Sequence, residues 1–186
     1  MPSLKDLRNR ISSVKSTKKI TSAMKMVAAA KLKRAQDNAE KSRPYANKMK
    51  DIVLSLISRS NTNNLKFSKT NNKKTVLLIV CSADRGLCGG FNGSIIKHTK
   101  NLTNTLKSDG KNFKFLFVGK KAYQSLRRLY EDLTVDLVSD FVNPRIEFEV
   151  ASSIRDKVLK LFFDDEISEC YLIYTKFKSA ISQSVE

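Results

Sequence analysis

Residues 75–92 read TVLLIVCSADRGLCGGFN, and this stretch decides the fold. TVLLIVC is an almost unbroken apolar run, rich in β-branched residues. It lacks the apolar–polar alternation of a half-exposed strand. Both its faces must therefore be covered, as in a parallel sheet with helices packed on it. The glycines and polar residues of SADRGLCGGFN then end the strand and form a loop. In layered α/β folds, loops at the carboxyl ends of strands are where ligands usually bind.

Downstream, the same grammar repeats. Residues 93–107 predict a helix that uses Ile95, Ile96, Leu102 and Leu106 and closes near Gly110, with Asn92 as its cap. NFKFLFV is a second strand, 120–130 a short helix and TVDLVS a weaker third strand. Residues 146–163 form an amphipathic helix, and ECYLIYTKF one further strand. Strands alternating with helices indicate an α/β layered domain with a parallel sheet. No internal repeat is visible.

Upstream, the pattern changes. Residues 60–74, SNTNNLKFSKTNNKK, are polar and rich in Asn and Lys, and read as a linker. Before them, residues 3–58 read as one long basic helix. Ser3 with Asp6 fits a capping box. Leu4, Leu7, Ile11 and Val14 follow at 3–4 spacing, an apolar seam of the coiled-coil kind. The seam breaks at Lys18 and resumes in a shifted register at Ile20, Met24 and Val27. It thins into three alanines, 28–30, that permit close approach by another backbone. It returns as Tyr45, Met49, Ile52, Val53 and Leu56. Pro44 costs about 3 kcal/mol inside a helix, so a kink, or a helical hairpin turning at Arg43 and Pro44, is the competing expectation. The domain organisation is thus 1–59 helix, 60–74 linker and 75–186 α/β domain.

Charge narrows the partner. The 186-residue chain has a net charge of +17, and residues 1–50 hold 14 Lys and Arg against 3 acidic residues. An anionic partner is implied: nucleic acid, an anionic membrane or an acidic protein surface. The first 44 residues contain no aromatic for base stacking, and their cations interleave with an apolar seam. Pairs such as Lys18–Lys19 and the cluster Lys31, Lys33 and Arg34 repel one another. They gain when acidic groups lie opposite, which favours a helix buried between protein partners. A nucleic-acid-binding basic arm is the alternative. Three cysteines are too few for a disulfide framework, and a reduced compartment is the simpler expectation. Lys5, Asp6, Arg8 and Arg10 interrupt any early apolar stretch, so no signal peptide is expected. The longest apolar run, 76–81, is far short of a membrane span.

The loop at Asp84, Arg85, Gly86, Leu87, Cys88, Gly89, Gly90, Phe91 and Asn92 is not a dinucleotide fingerprint and lacks the Gly-Lys-Ser/Thr of a P-loop. No lysine within it reaches a phosphate, so a structural turn is the expectation. Cys88 as a nucleophile needs a base, and the single histidine, His98, lies midway along the next helix. Scattered Cys and His give no metal-ligand spacing. Asp164, Asp165 and Glu166 read as a solvated turn. No catalytic, cofactor-binding or metal-binding residue is expected.

Four stretches carry a family resemblance: ITSAMKMVAAAKLKRAQ at 20–36, RPYA at 43–46, SADRGLCGGFN at 82–92 and YTKFKSAISQ at 174–183. Together they resemble the gamma subunits of F-type, rotary ATP synthases, over essentially the whole chain. The resemblance implies a long N-terminal helix, half of an antiparallel coiled coil, and a Rossmann-like α/β domain with a parallel sheet flanked by helices. It implies a central-stalk rotor that couples proton flow through the membrane c-ring to conformational cycling of the catalytic beta subunits. Its partners would be the alpha–beta hexamer, the epsilon subunit and the c-ring, with no nucleotide of its own and no nucleic acid. It would be peripheral, on the cytoplasmic face of a bacterial inner membrane or the matrix face of its organelle equivalent. Met24, Lys25, Lys31, Lys33 and Arg34 match the helix segment that meets an acidic region of beta. Leu4, Leu7, Ile11, Val14, Ile20 and Val27 would form the coiled-coil seam. Asp84, Arg85, Gly86, Cys88, Gly89 and Gly90 match the family loop at the domain's edge. The family continues past Glu186 into a C-terminal helix that pairs with residues 3–58, so the chain is expected to lack that C-terminal part. The isolated chain is then expected to associate through its exposed seam. The chloroplast-type regulatory cysteine insert is absent, so thiol regulation is not expected.

Overall fold

In a computed structural model, residues 3–59, 74–141, 146–179 and 182–186 are described. Most of the expected linker, 60–73, lies outside them. The chain divides into two compact units, Met1–Lys69 and Thr70–Glu186.

The described residues of the first unit form one α-helix, α1, Leu4–Arg59, of 56 residues, roughly 84 Å long at about 1.5 Å per residue. It begins at a reciprocal capping box. The Asp6 amide donates to Ser3 Oγ and the Ser3 amide to Asp6 Oδ2, both at 3.2 Å. Pro44 lies inside the helix, so the hairpin turning at Arg43 and Pro44 is not formed. Proline removes its own amide donor and crowds the preceding turn, but the rest of the 56-residue helix outweighs one defect. None of the helix's residues is buried. Leu4, Leu7, Ile11, Val14, Ile20, Met24 and Val27 are all exposed.

The second unit is the layered α/β domain. Its elements are β1 Thr75–Cys81, α2 Phe91–Ser108, β2 Asn112–Val118, α3 Lys120–Tyr130, β3 Thr134–Val138, α4 Phe148–Phe163, β4 Glu169–Ile173, β5 Thr175–Phe177 and β6 Gln183–Val185. A single 3-10 turn, Glu131–Leu133, joins α3 to β3. The sheet order is β3-β2-β1-β4, with all pairs parallel. β1 and β2 are central, which explains their continuous apolar sequences.

The two faces of the sheet bury separate cores. Val76, Leu78, Val80, Phe113, Phe115 and Phe117 point to one side, against Ile95 and Leu106 of α2 and Ala122, Leu126 and Tyr130 of α3. Leu77, Ile79, Leu116 and Val118 point to the other, against Leu161 of α4 and Ile167. Cys81 is half-buried beside the second core, and burial pushes its thiol pKa up. α2 ends with Gly110 at φ 66°. The Gly110 amide reaches Lys107 O at 3.0 Å and the Lys111 amide reaches Leu106 O at 2.9 Å, a Schellman closure at the expected glycine.

Two local expectations are corrected. ECYLIYTKF is not one strand. β4 pairs with β1, while β5 pairs antiparallel with β6 in a separate two-stranded sheet. Tyr174 sits between them and exchanges both backbone bonds with Glu186, at 3.0 and 2.9 Å. Asn92 is not the cap of α2, whose N-cap is Gly90. Its side chain is engaged elsewhere.

Candidate functional site

The loop after β1 is held by side chains that the sequence placed beside it. Asn92, in the first turn of α2, turns back toward the strand. Its Oδ1 accepts from the Ala83 amide at 3.0 Å, and its Nδ2 donates to Cys88 Sγ at 3.0 Å. This tertiary bond to Ala83 is why Asn92 does not cap its own helix. The Phe91 amide donates to Cys88 O at 3.3 Å. Gly89 adopts φ 57° and Leu87 φ 60°, two left-handed residues flanking Cys88.

Asp84 ties three segments together. Its Oδ1 accepts from the Lys120 amide at the start of α3, and its Oδ2 from the Asp140 amide beyond β3, both at 3.0 Å. The Lys121 amide donates to Ala83 O at 3.0 Å, and the Ala122 amide to Ser82 Oγ at 3.0 Å. The N-terminus of a helix is a ready anion site because its first amides lack partners. Here the three amides that open α3 already have protein acceptors, one of them the Asp84 carboxylate. That arrangement does structurally what a bound phosphate does in nucleotide-binding relatives of the fold.

The loop residues Arg85, Gly86, Cys88, Gly89 and Gly90 are exposed. Lys120 Nζ pairs with Asp140 Oδ2 at 2.5 Å. That bond, with Arg85 adding to it, holds the Asp140 carboxyl below its usual range. His98 is exposed on α2, and no contact joins it to Cys88 among the described residues. Nor do the described residues contain a group of three or more His, Cys, Asp or Glu able to hold a metal ion, or a helix long and apolar enough to cross a membrane.

Further ion pairs fasten the sheet. Lys111 pairs with Glu169 and Lys114 with Glu166, each at 2.6 Å, and Lys157 pairs with Asp136. The Lys157 hydrogen bond lowers the Asp136 pKa, and Lys111 then Tyr171 lower that of Glu169. A carboxyl with a depressed folded pKa contributes stability above its unfolded value and loses it as pH falls through the folded one. The melting temperature of the α/β unit is therefore expected to hold between pH 7 and about 5 and to fall below about pH 4. Asp136→Asn should flatten that acid limb in a thermal melt series. An unchanged limb in Asp136→Asn and Glu169→Gln would show that these pairs contribute nothing.

The second candidate surface is α1 itself. Met24, Lys25, Lys31, Lys33 and Arg34 lie within one stretch of exposed helix. Leu87, which the sequence did not single out, is the most exposed large apolar residue among those described.

Comparison with known proteins follows the same lines. Residues 3–186 match a family described as ATP synthase. The chain is 46% identical over 186 residues to the ATP synthase gamma chain of Sinorhizobium medicae, which covers 98% of this chain and 64% of that protein. It is 46% identical to the gamma chain of Pelagibacter ubique, with the same coverage. The chain thus spans somewhat less than two thirds of the relatives it matches. Among solved structures, it is similar to a chain in the central stalk/c-ring structure of the Tetrahymena thermophila mitochondrial ATP synthase. That match has a TM-score of 0.70 and 31% identity over 90% of this chain and 70% of that one. A chain of the Euglena gracilis mitochondrial ATP synthase shares the fold, with a TM-score of 0.59 and 16% identity over 96% of this chain and 54% of that one.

Proposed function

The chain belongs to the ATP synthase gamma-chain family, and from that premise we propose that it is a rotor part of the proton-translocating ATP synthase. In this reading it is non-catalytic. It transmits rotation of the membrane c-ring to the catalytic beta subunits, whose conformations it drives in turn. The alpha–beta hexamer, the epsilon subunit and the c-ring are its partners. It works as a peripheral protein on the cytoplasmic face of a bacterial inner membrane or its organelle equivalent.

One observation carries the reading. α1 is a 56-residue helix with no buried residue, on which apolar side chains and cations interleave. A helix of that length without packing is marginal, since helices in proteins are held chiefly by an apolar face against something else. Leu4, Leu7, Ile11, Val14, Ile20 and Val27 are the seam for an antiparallel helix of the shaft. Met24, Lys25, Lys31, Lys33 and Arg34 are the contact to acidic side chains of the hexamer. Residues 60–74 act as the linker to the α/β unit, and the loop from Asp84 to Gly90 gives that unit its outer edge.

Reconstitution with alpha and beta subunits tests this. The chain should co-elute with them, and Lys31→Glu with Lys33→Glu and Arg34→Glu should weaken association at least tenfold, because like charges would then face each other. Retained binding in the triple variant would remove these residues from the contact. Tight binding to duplex DNA with a steep salt dependence, and none to alpha and beta, would overturn the rotor reading.

A further inference from the structure

α1 runs unbroken from Leu4 to Arg59, and one seven-residue repeat fits the whole of it. From Leu4 and Leu7, the alternating steps of 3 and 4 continue without a shift to Val53 and Leu56. The stripe has zones. Leu4, Leu7, Ile11 and Val14 open it, and Met49, Val53 and Leu56 close it. Small side chains fill much of the middle: Ala28, Ala35, Ala39, Ser42 and Ala46, with Leu32 among them. Lys18, Thr21 and Lys25 form the one polar stretch. Three features outside the apolar pattern agree with this repeat. Thr21 Oγ1 donates to Thr17 O at 2.9 Å and to Lys18 O at 3.1 Å, and Ser42 Oγ donates to Ala39 O at 3.1 Å. Both hydroxyls are satisfied within the helix, so both residues can face an apolar partner. Pro44, and the Glu40 carbonyl that it leaves without an amide donor, lie away from the stripe. Charge is the third feature. The acidic residues of α1, Asp6, Asp37, Glu40 and Asp51, all lie at outer positions. The positions bordering the stripe carry Arg8, Arg10, Lys15, Lys31, Arg43 and Lys50, and no acid.

We infer that Lys18 and Lys25 set the register of the shaft: each lies inside the seam and meets a carboxylate of the paired helix. That helix also carries acids along both borders and bulky apolar side chains opposite the small residues from Ala28 to Ala46. Neither lysine has an ion-pair partner among the described residues. A cation at an inward seam position costs stability but specifies alignment and partner. Set against an apolar residue, it gives up water with no counter-charge in return. A second copy of this chain is the wrong partner, because cations would border cations in either orientation. The inference rests on the rotor reading, in which α1 pairs with another helix of the shaft, and it narrows the seam drawn there. Ile20 and Val27 fall at the same outer position as Arg34, and Lys25 passes from the hexamer contact to the seam.

Two synthetic helical peptides test it against the full chain. Both complement the stripe in antiparallel alignment, with glutamate along the borders. One has glutamate and the other leucine at the places that face Lys18 and Lys25. The natural chain should bind the glutamate peptide about tenfold more tightly or better, with α1 gaining protection in amide exchange. Lys18→Leu together with Lys25→Leu should reverse that preference. If the natural chain binds both peptides equally, the lysines lie outside the seam and the inference is overturned, while the pairing of α1 with a shaft helix stands. If neither peptide binds but alpha and beta subunits still capture the chain, the register is disproved and the rotor reading survives. If neither the peptides nor the subunits bind, both fall.

Discussion

Gly119→Ala is expected to remove most of the stability of the α/β unit, about 4 kcal/mol or more. Gly119 adopts φ 97°, and a β-carbon there would stand 2.0 Å from Ser82 O and 2.7 Å from Ser82 C. Those are backbone atoms at the end of β1, so no side-chain rotation relieves the clash. Forcing a non-glycine residue into such backbone costs on the order of 1–3 kcal/mol by itself. Moving Ser82 then breaks the bonds it organises. Its amide donates to Val118 O at 2.7 Å, its hydroxyl to Gly119 O at 3.1 Å, and it accepts from the Ala122 amide at 3.0 Å. Each is worth roughly 1 kcal/mol. Against a typical total of about 5–15 kcal/mol, the domain would be marginal or unfolded. Denaturant titration measures the change. Gly93→Ala is the control, because Gly93 has nothing within 4 Å of a β-carbon position. There alanine should be neutral or stabilising in a helix. A Gly119→Ala protein within 1 kcal/mol of the parent would mean that the β1 end and the start of α3 separate easily.

That junction shows what the sequence could and could not reveal. β1 and β2 were legible because central parallel strands must be apolar on both faces. α3 and α4 were legible from their spacing. Gly110 was legible as a helix closer because its role is local. The split of β4 from β5 was not, since Tyr174 is an ordinary strand residue and the change of partner depends on Glu186, twelve positions away. Asn92 misled for a similar reason. A cap is a local prediction, but its amide is engaged by Ala83, nine positions back. On α1, propensity around Pro44 allowed a break, and helix continuity won. At the candidate site, the glycines and Asp84 were marked by the sequence as a loop. Leu87 was placed in the same loop, but its left-handed backbone and its exposure were not legible, because a positive φ at a non-glycine residue leaves no trace in composition. The gripping of Lys120 and Asp140 by Asp84 spans 36 and 56 residues and exists only once the sheet has formed.

Phe115→Ala is the second large expected effect, about 3–5 kcal/mol. Phe115 is fully buried in β2, beneath α2 and α3. Its ring lies 5.2 Å from Phe117, 5.6 Å from Phe113 and 5.0 Å from Tyr130. Truncation leaves a cavity bounded by these rings, and the strand backbone cannot move in to fill it, because β2 is paired on both sides with β1 and β3. Partial collapse can come from α2 or from α3, the latter through Tyr130, whose hydroxyl meets Thr103 Oγ1 of α2 at 3.3 Å. The cost should therefore appear as a lower denaturation midpoint together with weakened amide protection in α3, whose first turn holds the β1 loop. Phe115→Leu should lose less, since it keeps more of the volume. A Phe115→Ala protein that loses under 1 kcal/mol with α3 protection intact would show that α2 and α3 shift freely on the sheet. In that case the loop carrying Leu87 could not owe its rigidity to the core beneath α3.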